Sequence, residues 1–271
     1  MNVGRSPHEV SVTPDGHKAY ISCAGENTVE IFNMKTLERL SIIKHDEFRF
    51  PHESAILPDG SKVILASTYA NKVFIIDVKT DKVEKIISAR RMSHMVCIHP
   101  KGTKAYISNI GDNSISVLDI KTFEWDTHIP VGRSPEGIGV SPDGQWLYVA
   151  NQDDDTVYVL NTTNNALTAR LTLDKVPIRV TFSRDGKYAF VPNREGNSLS
   201  IIDTKTHKEI KRIHVGIWAG GTVFNADNTT AYVANNKTND VSIIDVKTLK
   251  VTGTIDVGIH PDGMAFCRVQ E

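Results

Sequence analysis

Residues 135–172 read PEGIGVSPDGQWLYVANQDDDTVYVLNTTNNALTARLT, and this stretch decides the fold. Four short runs in it carry alternating apolar residues, which is the pattern of half-buried β-strands. The turn Pro142-Asp143-Gly144 separates the first run from the second, and short polar side chains of this kind favour tight turns. The four runs are 137–140, 147–150, 156–160 and 167–171. This stretch therefore predicts one unit of four strands.

The same unit recurs along the chain, because its turn returns with a step of 44 residues once and 42 residues four times. The other copies are Pro14-Asp15-Gly16, Pro58-Asp59-Gly60, Pro100-Lys101-Gly102, Arg184-Asp185-Gly186 and Ala226-Asp227-Asn228. No segment keeps a helical apolar period for the ~10 residues that a helix needs. Four-stranded units of this length in series are typical of a β-propeller, so we predict an all-β chain built of blades.

The second strand of the unit carries a recurring motif, seen as Tyr148-Val149-Ala150-Asn151 and Tyr232-Val233-Ala234-Asn235. Looser copies are Tyr106-Ile107-Ser108-Asn109 and Phe190-Val191-Pro192-Asn193. The motif resembles the YVTN β-propeller repeats, and the resemblance covers nearly the whole chain. It implies the propeller fold. It leaves function open, because relatives range from lactonase-like and surface-layer propellers to parts of quinone and haem enzymes.

The repeats are compatible with two blade counts. The first-strand motif occurs seven times, but the seventh copy, at 258–266, has no second, third or fourth strand after it. We predict six complete blades and one orphan inner strand at about 264–266, in a single domain over residues 1–271. The protein is then six-bladed, or seven-bladed and lacking N-terminal strands. The other inner strands are expected near 9–12, 53–57, 95–98, 137–140, 179–182 and 221–224.

The composition excludes several classes of function. Thirty-one Lys and Arg against thirty-two Asp and Glu give a net charge of -1, which favours neither nucleic acid nor an anionic membrane. Three dispersed cysteines predict no disulfide scaffold. No apolar stretch reaches the ~20 residues of a spanning helix, and the first residues lack a signal peptide. The family resemblance implies a periplasmic or extracellular protein if the chain is N-terminally truncated.

Three consecutive blades carry a histidine one residue after the proline column: His8, His52 and His94. The same column holds Glu136 in the next blade and Asp262 near the end of the chain. Equivalent positions of a propeller lie in a circle, so these side chains are expected at one height near the channel mouth. Three imidazoles with a carboxylate or water suit zinc, copper or iron. The alternative is that these histidines only fill the loop and bond the backbone.

Two residues before the proline column, five of seven positions are basic. They are Arg5, Arg49, Arg91, Arg133 and Lys175. A ring of cations around a concave mouth would attract an anionic small molecule or an acidic protein surface. The alternative is a set of solvated side chains whose stems cover apolar surface.

The column after the histidines adds Glu9 and Glu53, which are candidates for orienting the imidazoles or for a general base. Arg179 lies in this column, and Trp218 precedes the inner strand of the sixth blade. Both are candidate ligand contacts, although Trp218 could equally be a core residue at the rim.

These columns leave three functions open. The first is a binder of an anionic small molecule, with or without metal-dependent catalysis by the histidines. The second is a non-enzymatic propeller for a protein or surface-polymer partner. The third, implied by the resemblance alone, is a haem- or quinone-related role in electron transfer or cofactor assembly. The sequence has no C-x-x-C-H motif for covalent haem.

Overall fold

A computed structural model of the chain describes residues 2–267. The described residues form six four-stranded antiparallel sheets, each built from strands that are consecutive in sequence. This is the architecture of a six-bladed β-propeller, and it confirms the predicted all-β class. The helical residues in the described part are three 3₁₀ turns of three residues each. None of the described helices is long and apolar enough to cross a membrane.

The chain divides into two compact units. The first unit contains residues 2–130 and Cys267, and the second contains Val131–Phe266. The single-domain assignment over residues 1–271 therefore stays a prediction.

Blades 1 to 3 belong to the first unit. Their strands are β1 Pro7–Val12, β2 Lys18–Cys23, β3 Thr28–Asn33, β4 Arg39–Lys44, β5 Pro51–Ile56, β6 Lys62–Ser67, β7 Lys72–Asp77, β8 Lys82–Ser88, β9 Ser93–Ile98, β10 Lys104–Asn109, β11 Ser114–Asp119 and β12 Glu124–Pro130.

Blades 4 to 6 belong to the second unit. Their strands are β13 Pro135–Val140, β14 Trp146–Asn151, β15 Thr156–Asn161, β16 Leu167–Thr172, β17 Thr181–Phe182, β18 Tyr188–Asn193, β19 Ser198–Asp203, β20 Lys208–His214, β21 Ala219–Phe224, β22 Thr230–Asn235, β23 Asp240–Asp245 and β24 Lys250–Asp256.

The core lies between neighbouring blades, where apolar faces of adjacent sheets pack together. In the second unit, Tyr148 and Leu171 of blade 4 pack in one cluster with Ala189 and Val191 of blade 5. The motif asparagine supports this arrangement from inside the sheets of blades 3, 5 and 6; in blade 5, Nδ2 of buried Asn193 donates to Ser200 Oγ at 2.9 Å. Burying an amide group without a hydrogen-bond partner would destabilise the folded protein, and this bond avoids that cost.

Two details of the predicted inner strands are wrong. Residues 261–267 form no strand, because no described strand pairs with them and a strand needs a hydrogen-bonded neighbour. In blade 5 the ladder covers only Thr181–Phe182, with an isolated bridge between Pro177 and Asn193. The intervening residues fall where the inner strands of other blades show a register shift, such as that between Pro135 and Ile138. A bulge there leaves few regular pairs.

Candidate functional site

The backbone just before each inner strand is held in one unusual conformation. In blades 2 and 6 the residue is Phe50 with φ of 59° and Trp218 with φ of 60°, both in the left-handed region. The N–H of Phe50 donates to Asn27 Oδ1 at 2.7 Å, and the N–H of Trp218 donates to Asn197 Oδ1 at 3.0 Å. This region disfavours bulky side chains, so the hydrogen bond from the preceding blade helps to fix it. Each large side chain is thereby presented at an equivalent place in its blade.

In the first unit, the three column histidines contact one another. The ring centroids of His8 and His52 lie 4.5 Å apart, and those of His52 and His94 lie 3.7 Å apart in a stacked arrangement. His52 and His94 are buried, and His94 Nδ1 lies 3.0 Å from Thr68 Oγ1. We call these three side chains the histidine row. Their common position in three blades, predicted from the repeat, thus brings them together.

Two aromatic rings extend the histidine row towards solvent. Phe50 lies 5.2 Å from His8 between ring centroids, and Tyr69 lies 4.9 Å from Phe50. Tyr69 is 62% exposed, whereas His52 is 2% exposed. The row and these two rings therefore run from the surface into the interior of the first unit.

The geometry of the histidine row is that of a stack. His52 and His94 are nearly parallel, with 26° between their planes, whereas imidazoles that bind one metal ion radiate from it. Within residues 2–267, no three His, Cys, Asp or Glu side chains are arranged around one point as metal ligands. A zinc, copper or iron site here stays a prediction. Glu9 is buried and Glu53 is half-buried, and their role as orienter or base stays a prediction as well.

The second unit has a buried charge network. Arg179 Nη1 lies 3.4 Å from Glu136 Oε1, and both side chains are almost wholly buried. Arg179 Nη2 also lies 3.6 Å from Asp262 Oδ1, and Arg194 Nη2 donates to Glu136 Oε1 at 3.0 Å. Glu136 and Asp262 were predicted as metal ligands, and the structure places both against arginines. Gly137 permits the close approach, because a Cβ there would overlap the Arg179 backbone.

Next to this network, two cationic side chains contact the ring of one tryptophan, Trp218. Lys237 Nζ lies 3.6 Å from the centroid of the Trp218 ring, and Arg194 Cζ lies 5.7 Å from it. Trp218 is 36% exposed, so its ring is accessible to a ligand and is not a fully buried core residue. We call Trp218, Arg194, Lys237, Arg179 and Glu136 the tryptophan cluster. Arg194 links its exposed and buried halves.

The predicted ring of cations two residues before the proline column is occupied by local partners. Arg133 Nε lies 2.6 Å from Asp154 Oδ1, and the Arg133 backbone N–H and guanidinium hold the pKa of Asp154 below its usual range. Arg91 Nε donates to the Gly111 carbonyl at 2.8 Å.

Of the remaining members, Arg5 and Arg49 also have local partners. Arg5 pairs with Glu26 at 3.4 Å, Arg49 Nη1 donates to the Phe48 carbonyl at 2.6 Å, and Lys175 is exposed. The Arg5, Arg91 and Arg133 side chains are largely solvent-exposed, so their pairs contribute little. The ring as an anion-binding element stays a prediction.

Phe50 and Lys237 were not among the site residues predicted from the sequence. Phe50 lies in the same column as Trp218, between the basic and proline columns. Lys237 lies two residues after the motif asparagine Asn235, where blade 2 has Tyr69. A search for large side chains in these columns would have found both.

Two family models match parts of the chain. The model described as "Lactonase, 7-bladed beta-propeller" matches residues 87–180, and the cytochrome D1 heme domain model matches residues 147–269. No curated protein matches the sequence.

Solved structures match almost the whole chain. Hydrazine synthase of Kuenenia stuttgartiensis has a TM-score of 0.86 at 18% identity, covering 97% of this chain and 91% of that chain. A functionally unknown protein from Desulfotomaculum acetoxidans has a TM-score of 0.83 at 17% identity, covering 97% and 92%. At these identities the matches show the fold alone. The chain is therefore a β-propeller, similar over residues 87–180 to the seven-bladed lactonase propellers and over residues 147–269 to the cytochrome D1 heme domain.

Proposed function

We propose that the protein binds an anionic small molecule at the tryptophan cluster, and that the ligand joins a carboxylate to a flat ring. The observation that carries this proposal is the meeting of Lys237 and Arg194 on one half-exposed ring, that of Trp218. Two like charges beside one another are unfavourable unless an anion lies nearby. Glu136 supplies a carboxylate to Arg194, and a ligand carboxylate would supply one to Lys237.

The charges of the cluster support an anionic ligand. Arg179 and Arg194 pair with the carboxylates of Glu136 and Asp262, and Lys237 adds a third cation, which leaves one positive charge in excess. Lys237 makes no ion pair within the described part of the chain, and its contact is with the Trp218 ring. Arg194 is already held by Glu136, so its guanidinium is oriented before a ligand arrives. A preorganised arginine of this kind loses little entropy on binding a carboxylate.

The Trp218 ring supports a flat ligand. An indole offers a large apolar face with few rotatable bonds, and stacking of aromatic groups contributes about 0.5–1.5 kcal/mol beyond burial of area. The Asn197 hydrogen bond fixes the backbone that carries this ring. The cluster therefore combines an aromatic plane with two cations that lie over it, and a flat ligand would have to share the ring with them.

The cytochrome D1 heme domain match covers the whole cluster except Glu136, and a haem is itself a planar ring with carboxylate groups. None of the five side chains in the cluster is a His, Cys, Met or Tyr, which are the usual axial ligands of haem iron. The cluster therefore fits the carboxylates and ring of a ligand and not an iron centre. Its carboxylate, Glu136, is held by two arginines, which fits binding better than general-base catalysis.

The proposal is tested by calorimetric titration with three probes: naphthoate, its neutral analogue naphthamide, and cyclohexanecarboxylate. We expect naphthoate to bind most tightly, because it alone has both the charge and the flat ring. Its affinity should fall as salt is added, since an exposed Lys237 is screened by ions.

Substitutions in the tryptophan cluster test whether naphthoate binds there. Lys237→Ala and Trp218→Ala should each weaken naphthoate binding at least tenfold, which corresponds to about 1.4 kcal/mol. Tyr69→Ala is the matched control, because Tyr69 occupies in blade 2 the position that Lys237 occupies in blade 6. Equal binding of naphthoate and naphthamide, or full affinity in the Lys237→Ala variant, would refute the proposal.

A further inference from the structure

The connection between blades 1 and 2 is longer than the next two connections along the chain. β4 ends at Lys44 and β5 begins at Pro51, so the six residues 45–50 join them. The connections after β8 and β12 have four residues each, 89–92 and 131–134. The two extra residues account for the single step of 44 residues between turns, where the other steps are 42. Blade 1 therefore ends in a longer loop than blades 2 and 3.

Contacts within this loop fold it into a defined turn. The N–H of Phe48 donates to the His45 carbonyl at 3.0 Å. Arg49 Nη1 donates to the Asp46 carbonyl at 2.7 Å. Phe48 is wholly buried and packs edge-on against the ring of Phe74, with 4.7 Å between the ring centroids. The protein itself holds the loop in place, so binding of a ligand would not have to order it.

A pocket of about 440 Å³ lies beside this loop. The end of β4 and the loop contribute Lys44, His45 and Asp46 to its lining. The turn between β2 and β3 contributes Glu26 and Asn27. The volume lies in the range of roughly 300–1,000 Å³ that is usual for small-molecule sites. All of these residues belong to the first unit, and we call the cavity the blade 1 pocket.

The charges that line the blade 1 pocket balance, but only some of them have partners. The cations are Lys44 and Arg49, and the carboxylates are Glu26 and Asp46. Glu26 pairs with Arg5 at 3.4 Å, and the Arg49 guanidinium donates to backbone carbonyls. Within residues 2–267, neither Lys44 nor the Asp46 carboxylate makes an ion pair. One ammonium group and one carboxylate are thus left to contact a ligand.

His45 adds a hydrogen-bond donor to the pocket. Its Nδ1 accepts the N–H of Glu47 at 3.1 Å, so the neutral imidazole carries its proton on Nε2. A ligand carboxylate can therefore be bound by the Lys44 ammonium group and by the Nε2–H of His45 together. A phosphate dianion would also approach the Asp46 carboxylate, and like charges repel each other. The lining thus fits a ligand that carries both signs of charge.

We propose that the blade 1 pocket binds a free α-amino acid. Its carboxylate would contact Lys44 and His45, and its ammonium group would contact Asp46. These three residues are consecutive, with neighbouring Cα atoms about 3.8 Å apart, so the two charges of the ligand must lie close together. An α-amino acid meets this condition, because its carboxylate and its ammonium group are attached to the same carbon.

The test is a calorimetric titration of the full chain with three matched probes: leucine, isocaproate and isopentylamine. Isocaproate is leucine without its ammonium group, and isopentylamine is leucine without its carboxylate. We expect saturable one-to-one binding of leucine, at least tenfold tighter than binding of either analogue, because only leucine satisfies both Lys44 and Asp46. Inorganic phosphate should not displace leucine. Isocaproate that binds as tightly as leucine, or leucine that does not bind, would overturn the proposal.

Two variants and two matched controls test whether leucine binds in this pocket. Lys44→Gln and Asp46→Asn should each weaken leucine binding at least tenfold. Lys35→Gln and Glu38→Gln remove the same charges from the same blade outside the pocket, and should leave leucine binding unchanged. All four side chains are exposed, so the unfolding midpoint of each variant should stay close to that of the wild-type chain. Equal losses of affinity in the variants and their controls, or full affinity in Asp46→Asn, would show that the blade 1 pocket does not bind the amino acid.

Discussion

The two rings that extend the histidine row, Phe50 and Tyr69, occupy in blade 2 the positions that Trp218 and Lys237 of the tryptophan cluster occupy in blade 6, and the two pairs differ in chemistry. Phe50 and Trp218 precede the inner strands of blades 2 and 6, and both have left-handed backbones. Beside Phe50 lies the ring of Tyr69, and at the same position beside Trp218 lies the ammonium group of Lys237. The repeat therefore fixes where a side chain is presented, and the residue type decides what it can bind. The first unit presents stacked rings, and the second presents cations around one ring.

The largest expected loss of stability comes from removing a buried charge of the second unit. It should exceed the loss from removing an exposed charge of the same unit. Glu136→Ala should destabilise the protein by roughly 3–5 kcal/mol, because it leaves the almost wholly buried Arg179 and its neighbour Arg194 without their shared carboxylate. Asp154→Ala, which removes the partner of the exposed Arg133, should cost about 1 kcal/mol or less. Denaturant unfolding measures both. Equal losses would show that burial does not set the strength of these pairs.

A smaller loss of stability is expected from replacing Gly137, the glycine that lets blades 4 and 5 approach each other closely. Gly137→Ala should cost roughly 1–3 kcal/mol, because its Cβ would overlap the Arg179 backbone and the Ile178 carbonyl. Gly220→Ala should cost less, since its nearest neighbour, Asp262 Oδ1, lies 3.4 Å from the added carbon. Thermal unfolding compares the two variants, and a neutral Gly137→Ala variant would contradict the close approach.

Because the imidazoles of the histidine row stack on one another, we expect ring contacts to stabilise the row and a chelator to leave the stability of the protein unchanged. His52→Ala should destabilise the first unit by roughly 1–3 kcal/mol, because ring contacts are lost on both sides of His52. A chelator should leave the unfolding midpoint of the wild-type chain unchanged. Stoichiometric metal that is lost in the variant, with a lower midpoint after chelation, would instead establish the metal site predicted from the sequence.

The smallest expected effect is on the pH dependence of stability, and it comes from His207, which lies outside the histidine row. Burial lowers the pKa of His207, whose Nδ1 lies 2.7 Å from the hydroxyl of Tyr148. The folded state thus favours the neutral ring, so its stabilising contribution is present above about pH 6.5 and is lost as the pH falls below it. His207→Gln should make the acid side of the stability curve shallower, by well under about 1 kcal/mol because the ring is partly screened. An unchanged curve would count against this coupling.

Local chemistry and periodicity were enough to predict the fold. The Pro-Asp-Gly turns, the alternating strands and the motif asparagine recur at fixed steps, and each specifies a hydrogen bond or a buried face seen in the structure. The strand expected at 264–266 failed because strand pairing is not a local property. A sequence pattern cannot supply the neighbouring strand that the ladder requires.

The candidate sites were only partly predictable for a different reason. A shared column implies a shared height, which brought the histidines together. It does not imply a direction for the side chain. The histidines therefore stack, Glu136 and Asp262 meet arginines, and Arg91 and Arg133 bond nearby loops. Contacts such as Lys237 with Trp218 depend on rotamers that only the three-dimensional structure shows.

Exchange of the equivalent residues tests most directly the claim that residue type at a fixed position decides binding. The measurement is the dissociation constant of naphthoate for the wild-type chain and for the Lys237→Tyr and Tyr69→Lys variants. We expect Lys237→Tyr to weaken binding at least tenfold, and Tyr69→Lys to leave binding at the tryptophan cluster unchanged. Wild-type affinity in the Lys237→Tyr variant would contradict the account.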